Sequence, residues 1–236
     1  MSRALVYGNG KSRLKWDLNQ ELQDNITTWG CNRIYNDVKV DNLVAVDYWI
    51  QHMVYESGYA KTNKCWFLDW QILPVDFDIT PMRLEYYNHQ ENEKNTGGKV
   101  VRGKDQPPLK GLYITWVDEN DMVEDIDFPK EWGSGTTAIH LACQQGAKEI
   151  YLIGFDLSAN PINNVYEEEQ KKFKINDDNR PFRFDWTNEL KTTIKEYPNT
   201  NFIWVDPSET TLDFFNYSSN NLTYDTYENI RRNICR

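Results

Sequence analysis

The chain has 236 residues, which suits one α/β domain over residues 1–236 with room for a substantial core. Its formal net charge of −10 argues against a nucleic-acid groove, because a polyanion normally requires a basic face. No stretch reaches the roughly 18 apolar residues of a transmembrane segment, and the first residues do not resemble a signal peptide. We therefore expect a cytoplasmic protein. A small phosphate-bearing ligand is still compatible with the negative charge, because one local cationic site is enough to bind it.

The first predicted strand ends in a turn that suits such a ligand. The apolar run Ala4–Gly8 is followed by a small polar turn that contains Asn9, Gly10 and Ser12. Open α/β sheets present backbone N–H groups and a helix start at this point. We expect Gly8 and Gly10 to adopt positive φ, and Asn9 and Ser12 to bond a base, ribose or phosphate. An ordinary strand-to-helix turn is the alternative.

Two better-known phosphate loops do not fit this turn. A Walker A loop needs a glycine where Leu5 stands, and the dinucleotide fingerprint needs its third glycine where Arg13 stands. The sequence therefore supports neither a P-loop ATPase nor a dinucleotide-dependent dehydrogenase.

Short apolar runs alternate with helical patterns, which predicts an α/β fold with a mostly parallel sheet and helices on both faces. The predicted strands are Ala4–Gly8, Ile26–Cys31, Asn42–Asp47, Cys65–Asp69, Gly111–Trp116, Glu149–Asp156 and Asn201–Asp206. Helices are predicted over Thr136–Gln145 and Trp186–Tyr197. Residues 76–111 are predicted to be irregular. The charged residues 158–184 are predicted to form an inserted mobile lid, with a solvated connection as the alternative.

Polar side chains follow the second and third predicted strands. Asn32 can bond a base edge or a sugar hydroxyl, and Arg33 suits bidentate contact with a phosphate or carboxylate. Asp47 ends the third strand near His52, so this pair could act in proton transfer. The alternatives are a turn asparagine with a surface arginine, and a helix N-cap at Asp47.

The longest informative run is Trp132–Asp156. Ser134, Gly135 and Thr136 open a predicted helix, whose first N–H groups can meet an anion. The chain then returns through a strand that ends at Gly154 and Asp156, where an open sheet places its ligands. His140 lies among apolar residues of the same helix, which favours packing over catalysis.

Cysteines and acidic residues give no metal site. The scattered thiols of Cys31, Cys65, Cys143 and Cys235 are expected to be reduced and mostly buried. The acidic run Asp118–Asp127 lacks EF-hand spacing and is predicted to be a solvated loop. We expect neither a bound metal nor a cofactor.

Three blocks in this order resemble bacterial sialyltransferases that use CMP-sialic acid. They are Gly8–Ser12, Cys31–Tyr35 and Ser134–Asp156, and they cover about half of the chain. The same blocks are similar to a related Rossmann-like family, which includes archaeal hydroxymethylpterin pyrophosphokinases and flagellin-modifying accessory proteins. The opening also resembles that of tailed-phage proteins.

The resemblance implies roles for individual residues. Asn9 and Asn32 would contact the cytidine and ribose-phosphate, and Ser134–Thr136 the carboxylate or phosphate of the donor. Gly154 and Asp156 would meet the nucleotide edge. In those enzymes lid tyrosines hold the leaving phosphate and a histidine takes the acceptor proton.

This chain differs from that pattern in its lid. Tyr166 is the one lid tyrosine, and Pro181–Asp185 stands in place of the histidine. We therefore expect Asp185, or Asp47 with His52, to act as the base and Arg183 to serve the leaving phosphate.

The leading interpretation is a transferase that moves a sugar from a CMP-sugar donor to a glycan or small-molecule acceptor. One alternative is a Mg-ATP-dependent pyrophosphokinase with Asp47 and Asp156 as its carboxylate pair. Another is a nucleotide-binding or structural protein without catalysis. The aromatic tail, with Tyr217, Tyr224 and Tyr227, could pack on the domain or form a homo-oligomer contact.

Overall fold

A computed structural model describes residues 2–68, 70–72, 77–82, 98–103, 115–127, 132–157, 164–166 and 186–236. The strands are β1 (Arg3–Tyr7), β2 (Ile26–Cys31), β3 (Asn42–Ala45), β4 (Cys65–Phe67), β5 (Trp70–Ile72), β6 (Phe77–Met82), β7 (Gly98–Gly103), β8 (Thr115–Val117), β9 (Val123–Asp125), β10 (Glu149–Ile153), β11 (Asn201–Val205) and β12 (Leu222–Asp225). The α-helices are α1 (Tyr48–Glu56), α2 (Ser134–Gln144), α3 (Trp186–Glu196), α4 (Glu209–Phe215) and α5 (Tyr227–Ile234). Short 3-10 helices cover Lys11–Lys15, Asn32–Asn36 and Tyr59–Lys61.

Eight strands form one sheet in the order β12-β11-β10-β1-β2-β3-β4-β9. Every neighbouring pair in this sheet is parallel. The predicted α/β, Rossmann-like fold is thereby confirmed. Two smaller sheets accompany it, a parallel pair of β5 with β8 and an antiparallel pair of β6 with β7.

Both faces of the main sheet are covered because its central strands are apolar on both sides. Along β1, Ala4 and Val6 belong to one core cluster, while Leu5 and Tyr7 belong to the other. Helices α2 and α3 contribute to the first cluster, and α1 and α5 contribute to the second. The alternation follows from the two-residue period of a strand.

The chain reverses its direction of growth at β1. Later strands extend the sheet from β1 through β2 to β9 on one side, and from β10 to β12 on the other. A crevice at such a switch point, beyond the carboxyl ends of the strands, is where open α/β sheets bind ligands. The loops that follow β1, β2 and β10 meet at this edge.

Several sequence expectations need correction. The acidic run contains the edge strand β9, which pairs with β4. Strand β12 was not predicted, and β8, which overlaps the predicted strand Gly111–Trp116, pairs with β5 outside the main sheet. The span 76–111, expected to be irregular, contains the β6–β7 pair. Most of the predicted lid lies outside the described residues.

Other expectations hold. Helices α2 and α3 match the two predicted helices to within two residues at each end. His140 is buried, with its ring packed edge-on against Trp132 and Tyr197. The four cysteines carry free thiols. Within the described part of the chain, no helix combines the length and apolarity needed to cross a bilayer.

Candidate functional site at the sheet edge

The turn after β1 is built on close contact with β10. The Gly8 N–H donates to the Ile153 carbonyl (2.7 Å), and the Gly10 N–H donates to the Gly154 carbonyl (2.9 Å). Positive φ was expected at Gly8 and Gly10, but Gly154 adopts it instead (φ 75°), and Gly10 has φ −67°. A Cβ at Gly10 would lie 2.6 Å from the Gly154 oxygen. The turn therefore needs glycine for space.

Ser12 and Asp156 bond each other across the same turn. The Ser12 N–H donates to Asp156 Oδ2 (3.0 Å), and the Ser12 hydroxyl donates to Oδ1. Thr211 donates its hydroxyl to the main-chain carbonyl of Asp156 (3.1 Å). Ser12 and Asp156, both predicted to bind the nucleotide, therefore bond each other and join the turn to the end of β10.

Arg13 lies beneath the turn with only 2% of its surface exposed. It donates from Nη1 to Asn9 Oδ1 (3.0 Å) and from Nη2 to Asp37 Oδ2 (2.8 Å). The Tyr166 hydroxyl accepts from Arg13 Nη2 (3.1 Å) and donates to Asp37 Oδ2 (2.5 Å). Burial raises the pKa of the Tyr166 phenol. The lid tyrosine expected to hold a leaving phosphate therefore has two hydrogen-bond partners within the chain, Arg13 and Asp37.

Asn32 follows β2 in a left-handed conformation, with φ 53°. Its Oδ1 is buried and has no hydrogen-bond partner among the described residues. Asn9 reaches the preceding residue, because its Nδ2 donates to the Cys31 carbonyl (3.1 Å). Burial raises the pKa of the Cys31 thiol to about 12. Arg33 is next in the chain, and its Nε and Nη1 are buried.

Helix α2 begins at the same edge. Gly133 is its N-cap and has no side chain with which to cap the first N–H groups. The buried Glu189 carboxylate on α3 accepts from the Gly133 N–H (3.2 Å) and from the Thr136 hydroxyl. The Ser134 hydroxyl accepts from the Val46 N–H (3.1 Å), which joins this helix to the end of β3. The side chains of Ser134 and Thr136 therefore have structural partners.

Gly135 connects α2 to the β2 end. A Cβ there would lie 3.3 Å from the Phe155 ring and 3.8 Å from Cys31 Sγ. Asn9 bonds the carbonyl of the same cysteine, and Asn32 follows it in sequence. Asn9, Asn32 and Gly135 are thus brought together around Cys31.

The residues proposed as the catalytic base lie at different distances from the sheet edge. Asp47 is the N-cap of α1, yet its side chain makes no capping hydrogen bond. The Ser134–Val46 bond places the loop that carries Asp47 beside α2. His52 is buried five residues into α1, about 7.5 Å along its axis. His52 Nε2 lies 3.7 Å from Glu56, one further turn from the edge. Arg183 and Asp185 lie outside the described residues.

Sequence reasoning missed Glu189 and the pairing of Arg13 with Asp37. One signal for Glu189 was available, since it shares the buried face of α3 with Leu190 and Ile194. A carboxylate on an apolar helical face requires a partner inside the protein. No comparable signal marked Asp37, because its partner arginine is 24 residues away.

Comparisons of the chain with protein-family models, curated proteins and solved structures give no match.

Proposed function

We propose that this protein is a nucleotide-sugar-dependent glycosyltransferase that uses a CMP-sugar donor. The donor would lie at the sheet edge, over the ends of β1 and β2 and against the start of α2. An acceptor hydroxyl of a glycan or small molecule would attack the sugar from the side of β3. The sequence blocks that resemble sialyltransferases supply the choice of donor, and the convergence around Cys31 supports a shared site.

The observation that carries the proposal is the backbone conformation of Asn32 together with the burial of its Oδ1. A left-handed φ is uncommon at a residue other than glycine, and asparagine adopts it at a lower cost than most residues do. A buried acceptor without a partner costs roughly 1–3 kcal/mol. Asn32 combines a φ of 53° with a buried Oδ1 that no described residue satisfies. Such features cluster at ligand sites, and an amide oxygen would accept an N–H of a base or an O–H of a ribose.

The start of α2 favours a donor group of low charge. The main-chain N–H groups of its first turn have no intrahelical partner, so they can receive one donor oxygen. Glu189 already places a carboxylate on Gly133 and Thr136, which would repel a multiply charged polyphosphate. A phosphodiester or sugar carboxylate carries one negative charge and suits this position better.

The pyrophosphokinase alternative has weaker support. It needs Asp47 and Asp156 to share a magnesium ion, but both carboxylate oxygens of Asp156 accept hydrogen bonds from Ser12. Moving that carboxylate to a metal would break both of its hydrogen bonds to Ser12.

In the proposed reaction Asp47 takes the proton from the acceptor hydroxyl. The acceptor oxygen forms a bond to the anomeric carbon as the bond from that carbon to the phosphate oxygen breaks. CMP departs with the bonding electron pair, and the proton remains on Asp47. Positioning and stabilisation of the departing phosphate supply most of the rate. Arg183 is proposed to meet that phosphate, and Asp185 is the second candidate base.

The first experiment measures thermal stabilisation by CMP, CDP, Mg-ATP and buffer alone. We expect CMP to raise the melting temperature without added metal, since a ligand that binds only the folded state stabilises it. Asn32→Ala should remove most of this shift. Asn36→Ala is the matched control because Asn36 is exposed on the same 3-10 helix.

The outcomes separate the alternatives. Stabilisation by Mg-ATP and not by CMP would support the pyrophosphokinase, and silence from every ligand would support a protein without this site. If CMP binds, release of CMP from a CMP-sugar in the presence of acceptors tests catalysis. Asp47→Asn should then lower kcat and leave CMP affinity nearly unchanged.

A further inference from the structure

We propose that Arg13 is a positioning residue that orients the Asn9 side chain toward the ligand. The inference rests on the proposed function, because it concerns how the β1 turn presents one of its predicted ligand contacts. The sequence motifs assign Arg13 no role; it only stands where a dinucleotide fingerprint would need its third glycine.

The two partners of Asn9 determine which way its amide faces. Arg13 has only donors, so the Asn9 atom beside Nη1 (3.0 Å) must be the amide oxygen. The Cys31 carbonyl is only an acceptor, so the atom beside it (3.1 Å) must be the amide nitrogen. A flipped amide would lose both bonds. One N–H of Nδ2 and one lone pair of Oδ1 remain for a ligand.

The guanidinium group of Arg13 is itself held on several sides. Asp37 accepts from Nη2 and neutralises the buried charge, while the Gly8 carbonyl lies 3.4 Å from Nη1. The Tyr166 hydroxyl bonds Nη2, and the Arg13 guanidinium carbon lies 5.3 Å from the centre of the Tyr166 ring. Only a planar fork with several donors can serve these acceptors together, so lysine cannot replace it.

The main chain of Asn9 is fixed by the same neighbours. The Val165 N–H donates to the Asn9 carbonyl (2.8 Å), and Asn164 pairs with Gly10 as an isolated antiparallel bridge. Tyr166 follows directly, and its hydroxyl accepts a hydrogen bond from Arg13 Nη2. Backbone and side chain of Asn9 are therefore oriented by one connected network.

A ligand-free measurement tests the positioning directly. The two side-chain amide protons of any asparagine give separate NMR signals, because rotation about the amide C–N bond is slow. The Asn9 pair, assigned with the help of Asn9→Gln, should be separated more widely in the wild type than the pair of a solvent-exposed asparagine, because one proton is donated to the Cys31 carbonyl. In Arg13→Lys the separation should narrow toward that of a solvent-exposed asparagine. Unchanged shifts in a folded Arg13→Lys protein would overturn the inference, whatever the protein binds.

A double-mutant cycle on CMP affinity tests the consequence for binding. Arg13→Lys and Asn9→Ala should each weaken CMP binding about tenfold, which corresponds to the loss of one hydrogen bond from the Asn9 amide. The double variant should also bind about tenfold more weakly than wild type, because Arg13 acts through Asn9. A loss near a hundredfold would mean that Arg13 acts independently and would contradict the proposal.

Arg231→Lys is the matched control. Arg231 donates from Nη2 to the main-chain carbonyl of Lys15 (2.8 Å) and has no hydrogen bond to Asn9. Its CMP affinity and Asn9 amide shifts should equal those of the wild type.

The remaining outcomes are also informative. If Arg13→Lys does not fold, Tyr166→Phe removes one hydroxyl from the network and should narrow the separation of the Asn9 shifts; a lack of change would count against the proposal. Failure of the wild type to bind CMP would remove the proposed function, while the NMR result would still decide the positioning role.

Discussion

Ser12 and Asp156, which are 144 residues apart, join the turn after β1 to the end of β10. The carboxylate receives both the main-chain N–H and the hydroxyl of Ser12. The bond joins the loops that follow β1 and β10, the neighbouring parallel strands at the switch point of the sheet. This contact adds to the main-chain bonds of Gly8 and Gly10 that hold the turn at the sheet edge.

Removal of the Asp156 carboxylate should therefore destabilise the protein. We expect Asp156→Ala to lower the free energy of unfolding by about 2 kcal/mol, because two partly buried donors lose their acceptor. Ser12→Ala should cost about 1 kcal/mol, since the main-chain bond persists. Urea unfolding measures both, with the exposed Asp213→Ala as a control that should stay within about 0.5 kcal/mol of wild type.

The glycine at the end of β10 should be costly to replace. Gly154 has φ 75°, and a Cβ there would lie 2.8 Å from the Gly8 carbonyl oxygen. Gly146 has φ 87° and Gly58 has φ 77°, but a Cβ at either would meet nothing within 4 Å. We expect Gly146→Ala and Gly58→Ala to cost about 1–2 kcal/mol each, the strain of the left-handed conformation alone.

Gly154→Ala should cost clearly more than either control, because strain and overlap act together. Differential scanning calorimetry of the three variants gives the comparison. Equal melting temperatures would show that the turn can move away from β10.

Glu189 should stabilise α2 through its N-terminus. Glu189→Ala leaves the buried Gly133 N–H without its acceptor, while the Thr136 hydroxyl keeps the Gly133 carbonyl (3.0 Å), so we expect a loss of about 2 kcal/mol. Glu189→Gln keeps an oxygen for the Gly133 N–H and should lose less. Glu196→Gln makes the same charge change at an exposed position on α3 and serves as the control. Chemical denaturation followed by tryptophan fluorescence measures all three variants.

Alkaline pH should weaken the fold through its buried thiols. Burial raises the pKa of Cys31 and of Cys65 from an ordinary value of 9.0 to about 12. The unfolded chain therefore releases these protons at a lower pH than the folded protein does. Their contribution to stability is complete below about pH 9 and is lost as the pH rises toward about 12.

The midpoint of urea unfolding, measured at pH 7, 9 and 10.5, should be lower at pH 10.5 than at pH 9. Cys31→Ala removes one of the two thiols, so its midpoint should fall less steeply over the same range. An identical pH dependence in this variant would assign the effect to other groups, such as Tyr7, whose pKa burial also raises to about 12.

The tail illustrates a choice that local sequence could not make. Phe215 and Tyr227 are buried within the domain, while Tyr224 is nearly half exposed on the edge strand β12. Tyr227 also donates its hydroxyl to the Ser12 carbonyl (2.9 Å), which links the last helix to the first turn. That partner is 215 residues away, so the aromatic spacing alone gave no indication of it.

The amino-acid sequence by itself determined six of the eight strands of the main sheet and their parallel arrangement, and it missed the edge strands β9 and β12. Apolar runs such as Glu149–Ile153 bury both faces of a strand, and this pattern is local and strong. Tertiary structure alone decided the use of the polar residues at the sheet edge. Ser12, Asp156 and Arg13 are all polar enough to face a ligand, and the fold gives each of them internal hydrogen-bond partners. The hydrogen-bond partners of these residues depend on which loops lie next to each other in the folded protein. The composition and spacing of residues along the chain do not reveal those contacts.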